Sequence, residues 1–137
     1  MAGKQSGLGW TALNIDDVGG TPVDLRNDFN SIQYGTPLAM QDITGLDKYA
    51  FERLALMGDF TFSGTVSAMN PDASKSHVTL ANITDRRTRR TVTITIGGKT
   101  LAGEMLFTDF SYNRGADGSL PATAPAVLAD GTIPAWA

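Results

Sequence analysis

Apolar and polar positions alternate most strictly over residues 59–68, in the run DFTFSGTVSA. Phe60, Phe62, Val66 and Ala68 share one parity with Gly64, and Asp59, Thr61, Ser63, Thr65 and Ser67 share the other. A period of two with one apolar side predicts a half-buried β-strand whose opposite side is small and hydroxylated. Earlier, Thr11, Leu13 and Ile15 alternate with Ala12, Asn14 and Asp16, predicting a first strand just after Trp10. The DVGGTP that follows is turn chemistry, since two glycines can take positive φ. Over residues 23–34 the apolar parity changes between Phe29 and Ile32, which predicts one strand interrupted by a bulge or two short strands. Residues 89–96 alternate again, with Val92, Ile94 and Ile96 inward against Thr91, Thr93 and Thr95, and Gly97-Gly98 supplies a hairpin turn. The returning arm places Leu101, Met105 and Phe107 on one face and Leu106, Phe110 and Tyr112 on the other, so it lies centrally or changes sheets.

Three stretches depart from this period. Asn70-Pro71 has the form of an N-cap followed by the first helical position, and Asp72 suits the positive end of a helix dipole. With Ala73, His77, Leu80 and Ala81 on one side, a single short amphipathic helix is predicted over residues 71–83. From residue 113 onward Gly, Ala and Pro accumulate around one apolar run at 126–129, predicting a C-terminal arm (113–137) or a last edge strand. Residues 35–58 show no clean period, yet carry Leu38, Met40, Ile43, Leu46, Tyr49, Phe51, Leu54, Leu56 and Met57. That is more apolar surface than a solvent loop should show, and loops of this length are uncommon inside a compact domain. A partner for this long loop is expected, and Leu38, Met40, Leu46, Tyr49, Phe51, Leu54 and Leu56 are its candidate subunit-interface residues. Trp136 joins them, because a terminal tryptophan is usually anchored, whether on a neighbour or on its own chain.

Together these elements predict a mainly β chain: an antiparallel β-sandwich or barrel of six or so strands with one short flanking α-helix and terminal arms. Its 137 residues suit a single domain over 1–137. The 11 basic residues against 14 acidic ones give a net charge of −3, which argues against gripping nucleic acid by general charge. Without cysteine there is neither a disulfide framework nor a thiolate zinc site. No run approaches the ~20 apolar residues of a membrane span, so a soluble protein made in the cytoplasm, with no membrane partner, is expected.

Candidate chemistry is sparse. His77 is the only histidine and stands near no second ligand at metal spacing, so it reads as a helix-face residue against the core, and no cofactor or metal is expected. No Gly-x-Ser-x-Gly elbow, phosphate loop or dinucleotide fingerprint is present, and aspartates beside turns commonly bond the local backbone. An enzyme is therefore not expected. One local charge concentration remains, the RRTRR of Arg86, Arg87, Arg89 and Arg90. Three readings stay open for it: a solvated loop, ion pairing with a neighbouring subunit, or contact with DNA.

The order of these features resembles the major tail tube proteins of long-tailed bacteriophages. The likeness covers nearly the whole chain. Its most specific part is 42–66, where DITGL leads through Glu52 and Arg53 to the DFTFSG strand. The resemblance implies a virion structural protein with no catalytic residues, related in fold to type VI secretion tube proteins. It further implies self-assembly into hexameric rings that stack into a tube through which DNA passes transiently. A tape measure protein and tail-end proteins would be its partners. On that reading Asp59, Thr61, Ser63, Thr65 and Ser67 are candidate lumen-facing residues, too small and uncharged along most of their length to hold a duplex. The alternatives are another tail, neck or head-decoration protein, or a small β-sandwich binding module, which would want a row of exposed aromatics where this face has Ser and Thr.

Overall fold

The computed structural model describes residues 3, 4 and 6–137; residues 1, 2 and 5 of the N-terminal stretch lie outside the described residues. A short 3-10 turn, Gly7–Gly9, leads into β1 (Trp10–Asp16), β2 (Pro22–Asp24), β3 (Phe29–Gly35), β4 (Leu38–Asp42), β5 (Arg53–Gly58) and β6 (Thr61–Val66). Two helices follow, α1 (Ser76–Leu80) and α2 (Ile83–Arg86), and then β7 (Arg90–Ile96), β8 (Lys99–Phe107), β9 (Ser111–Tyr112) and β10 (Ala122–Leu128). The mainly β, antiparallel expectation holds. One large sheet runs β2-β1-β7-β8-β10-β6-β3, with β9 beside β10, and β4 with β5 forms a separate two-stranded ribbon. The sheet curls until Trp10 of β1 meets Tyr34 of β3 edge to face at 5.6 Å, but β3 does not pair with β1 or β2, so it is not closed into a barrel.

The alternating runs fold as their periods require. On β6, Phe60 just before the strand, then Phe62, Gly64 and Val66, are buried while Thr61 and Ser63 stay exposed. Ala68, expected on the core side, is exposed because the strand has ended at Val66. Gly97 and Gly98 take φ of 60° and 77°, the mirror-image turn whose twist matches the strands it joins. Gly20 closes the β1–β2 turn at φ 86°, where its N–H donates to the Asp17 carbonyl. Residues 23–34 resolve into two strands, and the second shows a register shift between Phe29 and Ser31, where the parity changes. Leu13, Ile15, Val92, Ile94, Leu101, Met105, Phe60, Phe62 and Phe107 fill the concave side. A fully buried residue of this size contributes about 1.5–3 kcal/mol.

Three expectations are corrected. In place of one helix over 71–83 there are two, because Asn70 is drawn elsewhere: its amide donates to Asp28 Oδ1 and its carbonyl accepts the Asp72 N–H in a tight turn. Ser74 at φ 59° then prevents helix until Ser76, and Asn82, extended, separates the two segments. Next, the run at 126–129 belongs to a strand that is neither an arm nor an edge. β10 lies centrally, pairing through residues 122–127 with β6 and through 126–128 with β8. Its Pro125 is tolerated because the side lacking an N–H faces Thr108, where β8 has already ended, and the Pro125 carbonyl accepts the Thr108 N–H on that side. Finally, residues 35–58 hold a β-ribbon instead of an irregular loop.

Arg90 is the one arginine of the RRTRR run turned inward. It shares the parity of Val92 and Ile94, has no exposed surface, and donates to the carbonyls of Thr79 (2.7 Å), Asp85 (2.8 Å) and Asp16 (3.1 Å). Those carbonyls terminate α1, α2 and β1, so one guanidinium collects three chain ends. Burial pushes its pKa down, against the pull of Asp85, Asp17 and Asp16. Burial excludes all three open readings for Arg90, ion pairing with a neighbouring subunit among them. Asp28, also buried, receives the Ser76 N–H (2.9 Å) and the Asn70 amide (2.9 Å), which fixes the start of α1 to the β2–β3 turn. His77 packs as expected of a helix-face histidine, Nδ1 lying 2.6 Å from the Tyr112 hydroxyl. Burial, then the Asp28 charge, push that hydroxyl up, so it remains protonated.

Candidate assembly surfaces

The ribbon begins where β3 leaves the sheet. Pro37 and Asp59 close its base through an N–H to carbonyl bond of 2.9 Å, and β4 pairs with β5 from Leu38↔Gly58 to Asp42↔Arg53. At its end the chain is knotted by Thr44: its N–H and hydroxyl both donate to Asp42 Oδ1, at 2.9 and 2.6 Å, and the hydroxyl accepts the Glu52 N–H at 2.8 Å. Hydrogen bonds from Thr44 hold the Asp42 carboxyl below the usual range. Lys48 pairs with Glu52 at 3.6 Å, and the Arg53 guanidinium lies 4.9 Å over the Phe51 ring. The tip is thus built by its own hydrogen bonds, and its Leu46, Tyr49 and Phe51 side chains are exposed.

All the expected loop residues are exposed. Leu38, Met40, Leu54 and Leu56 lie on the ribbon strands, and Leu46, Tyr49 and Phe51 at its tip. Pairing of Met40 with Ala55 and of Gln41 with Leu54 puts apolar side chains on both faces. That explains the missing period: a strand buried on one side alternates, and a ribbon apolar on both sides does not. Met57, 83% exposed at the bulge opposite Leu38 and Met40, belongs with them and escaped the candidate set. Trp136 lies against Tyr34 at 6.1 Å and is 44% exposed, so its anchor is at least partly within the chain. Arg87 and Arg89 are exposed, whereas Arg86 donates to the carbonyls of Leu80 and Ala81 and closes α1.

Of the candidate lumen-facing residues, Thr61, Ser63 and Thr65 form one row on β6. Asp59 and Ser67 lie beyond its ends. Asp59 accepts the Phe60 N–H at 2.7 Å, and Ser67 donates both N–H and hydroxyl to the Asp28 carbonyl. The row continues sideways through Thr123, Pro125 and Val127 of β10 and Ser31, Gln33 and Gly35 of β3. Farther across, the same side of the sheet carries Thr91, Thr93 and Thr95 of β7 with Glu104, Ala102 and Thr100 of β8. Glu104 accepts the Thr91 hydroxyl. No lysine or arginine stands at any of these positions; Thr91 to Thr95 were readable as outward from their alternation.

Among the described residues no group of His, Asp or Glu is placed to hold a metal, and no helix is long and apolar enough to cross a membrane. No known protein-family model matches the sequence, and no curated protein matches it. Solved structures do match. A chain of the tail of an empty gene transfer agent particle, determined with C6 symmetry, aligns with a TM-score of 0.74 at 13% identity, over 98% of both chains. A chain of the virion of a native gene transfer agent particle gives 0.66 at 14% identity, over 98% of this chain and 99% of that one. A chain of the six-fold symmetrised baseplate of the anti-feeding prophage gives 0.63 at 12% identity, over 100% and 97%. The chain therefore shares its fold with chains of these tail, virion and baseplate particles, in keeping with the fold that the sequence resemblance implied.

Proposed function

We propose that this chain is a structural tail protein of a phage-like virion, whose copies close into six-membered rings that stack into a tube for DNA. The observation that carries this reading is the ribbon. A projecting element with exposed apolar side chains on both faces is unfavourable in water, and is accounted for if other copies cover it. The fold likeness to a C6-symmetric tail supports six as the ring number. Arg87 and Arg89 are available for ion pairs between copies. The cation-free sheet face built on Thr61, Ser63 and Thr65 suits a wetted lumen along which DNA slides, with acidic groups adding mild repulsion. A tape measure protein inside the tube and tail-end proteins at its tips complete the set of partners.

Electron microscopy of the purified protein over a concentration series tests the proposal. Rings and stacked tubes of six-fold symmetry are expected. Monomers at every concentration, with no tubes in lysates of producing cells, would refute it. The baseplate likeness favours one second reading, a single ring at the end of a tail. Isolated rings that never stack would select it.

A further inference from the structure

The ribbon continues the β3–β6 ladder. Its first pair, Leu38↔Gly58, follows the last pair of the sheet, Gly35↔Thr61, three residues further along both strands, so the register carries straight through. What changes is the bonding in between. In this register Pro37 faces Asp59, and such a pair exchanges two backbone bonds when both residues carry an N–H. Here only the Asp59 N–H donates, to the Pro37 carbonyl at 2.9 Å, because proline has no hydrogen to return. A neck two residues long on each strand thus joins ribbon to sheet through one cross-strand bond. A glycine stands on either side of it, Gly35 and Gly58, where the backbone turns most freely.

We infer that residues 130–137 form a releasable brace across this neck: they set the angle of the ribbon, and lifting them frees it to swing about Gly35 and Gly58. The segment leaves β10 with the Ala129 N–H on the Glu104 carbonyl at 2.9 Å and turns at Gly131, φ 74°. It returns to the same strand at Thr100, where Ala137 and Thr100 exchange both backbone bonds, at 2.8 and 2.9 Å. Both its ends are therefore tied to β8, in the body of the sheet. Between them it reaches over the neck. Ile133 lies against Gly58 on the ribbon side, its side-chain carbons 3.7 Å from where a Cβ would stand. Trp136 lies against Tyr34 on the sheet side, and Tyr34 in turn meets Trp10 of β1 at 5.6 Å. The segment is not simply more of β10. Pairing of Ala126 with Phe107, continued, would set residue 133 opposite Thr100, where residue 137 stands instead. The surplus residues form the loop that carries Ile133 out to the ribbon. Release is built in as well: Ile133 is 70% and Trp136 44% exposed, so lifting the brace opens no core.

The inference goes beyond the tube reading and is tested on the free subunit, so neither falls with the other. Because the chain has no cysteine, Leu46→Cys at the ribbon tip and Thr123→Cys on β10, both at exposed positions, can be spin-labelled specifically. Pulsed EPR, at concentrations where light scattering shows monomers, should give one narrow distance distribution. Ile133→Ala with Trp136→Ala should broaden it about twofold or more, while a label pair within the sheet, Thr11→Cys with Thr123→Cys, keeps its width. Adding Pro37→Ala to the unbraced chain supplies the missing N–H and should narrow the distribution again. General loosening of the subunit would not respond in that way. An unchanged width in the unbraced chain overturns the inference, as does broadening of both label pairs or failure of Pro37→Ala to restore the narrow distribution.

Discussion

The Arg90 guanidinium donates to the Thr79 carbonyl at 2.7 Å, tying the last turn of α1 to the inward face of β7. It also donates to the part-buried carbonyls of Asp16 and Asp85, and the buried Thr79 carbonyl would lose this donor without it. Arg90→Met should therefore cost about 2–4 kcal/mol of stability in denaturant unfolding. Arg89→Met, an exposed neighbour one residue away, should stay within about 0.5 kcal/mol. Equal effects would mean that the position, and not the bonding, matters.

Gly64 is required for space. A Cβ there would meet the Phe29 ring, with Cδ1 at 2.6 Å, and Phe62 Cζ at 3.3 Å. Gly64→Ala is expected to lose about 1–3 kcal/mol by overpacking. Phe29→Leu in the same chain should recover part of it, a coupling that thermal unfolding of the four-membered cycle measures.

Asp28 makes stability depend on acid. Burial raises its pKa, but the hydrogen bonds from Ser76 and Asn70, with Lys75 nearby, outweigh this and hold it below the ordinary value. A depressed folded pKa contributes stability that is fully present above the unfolded value of about 3.9 and is lost as pH falls through the folded one. Asp28→Asn should be less stable at pH 7, and the gap to wild type should narrow below about pH 4. A gap constant from pH 7 to 2 would count against a charged Asp28.

Charge on the exposed ribbon should stop assembly without unfolding the subunit. Leu54→Glu with Leu56→Glu is expected to leave the melting temperature within a degree or two, since both are already exposed, while tube yield falls below detection. Light scattering with circular dichroism checks both halves.

Lysines on the hydroxylated face should act on DNA alone. Thr61→Lys with Ser63→Lys should preserve tubes yet slow DNA release, most at low ionic strength, because each ring would add twelve phosphate contacts by about six-fold repetition. Release at the normal rate across a salt series would place this face elsewhere than the lumen.

What could be read from the sequence was whatever faces core on one side and water on the other. The β7–β8 hairpin and β6 are of that kind. The ribbon was not legible as strands because its apolar residues lie on both faces, though its need for a partner was. β10 was hidden by its own packing: Ala122, Ala124 and Ala126 are small where Phe62 and Phe107 fill the space, and Pro125 suggested an edge. Arg90 was grouped with its neighbours as a surface charge, although its parity with Val92 and Ile94 marked it as inward. The Asn70-Pro71 signature misled because Asn70 serves Asp28, a contact 42 residues away that no local pattern contains.

The central position of β10 has a mechanical consequence. Six residue pairs join it to β6 and seven join β7 to β8, whereas three join β10 to β8, with one flanking backbone bond at each end from Thr108 to Pro125 and from Ala129 to Glu104. The sheet is thus two stiff panels meeting at a short seam, crossed on the core side by Phe62 against Phe107 at 6.1 Å. Pulled along or across, the subunit should crease at that seam before either panel frays, letting a rigid wall flex without parting its strands.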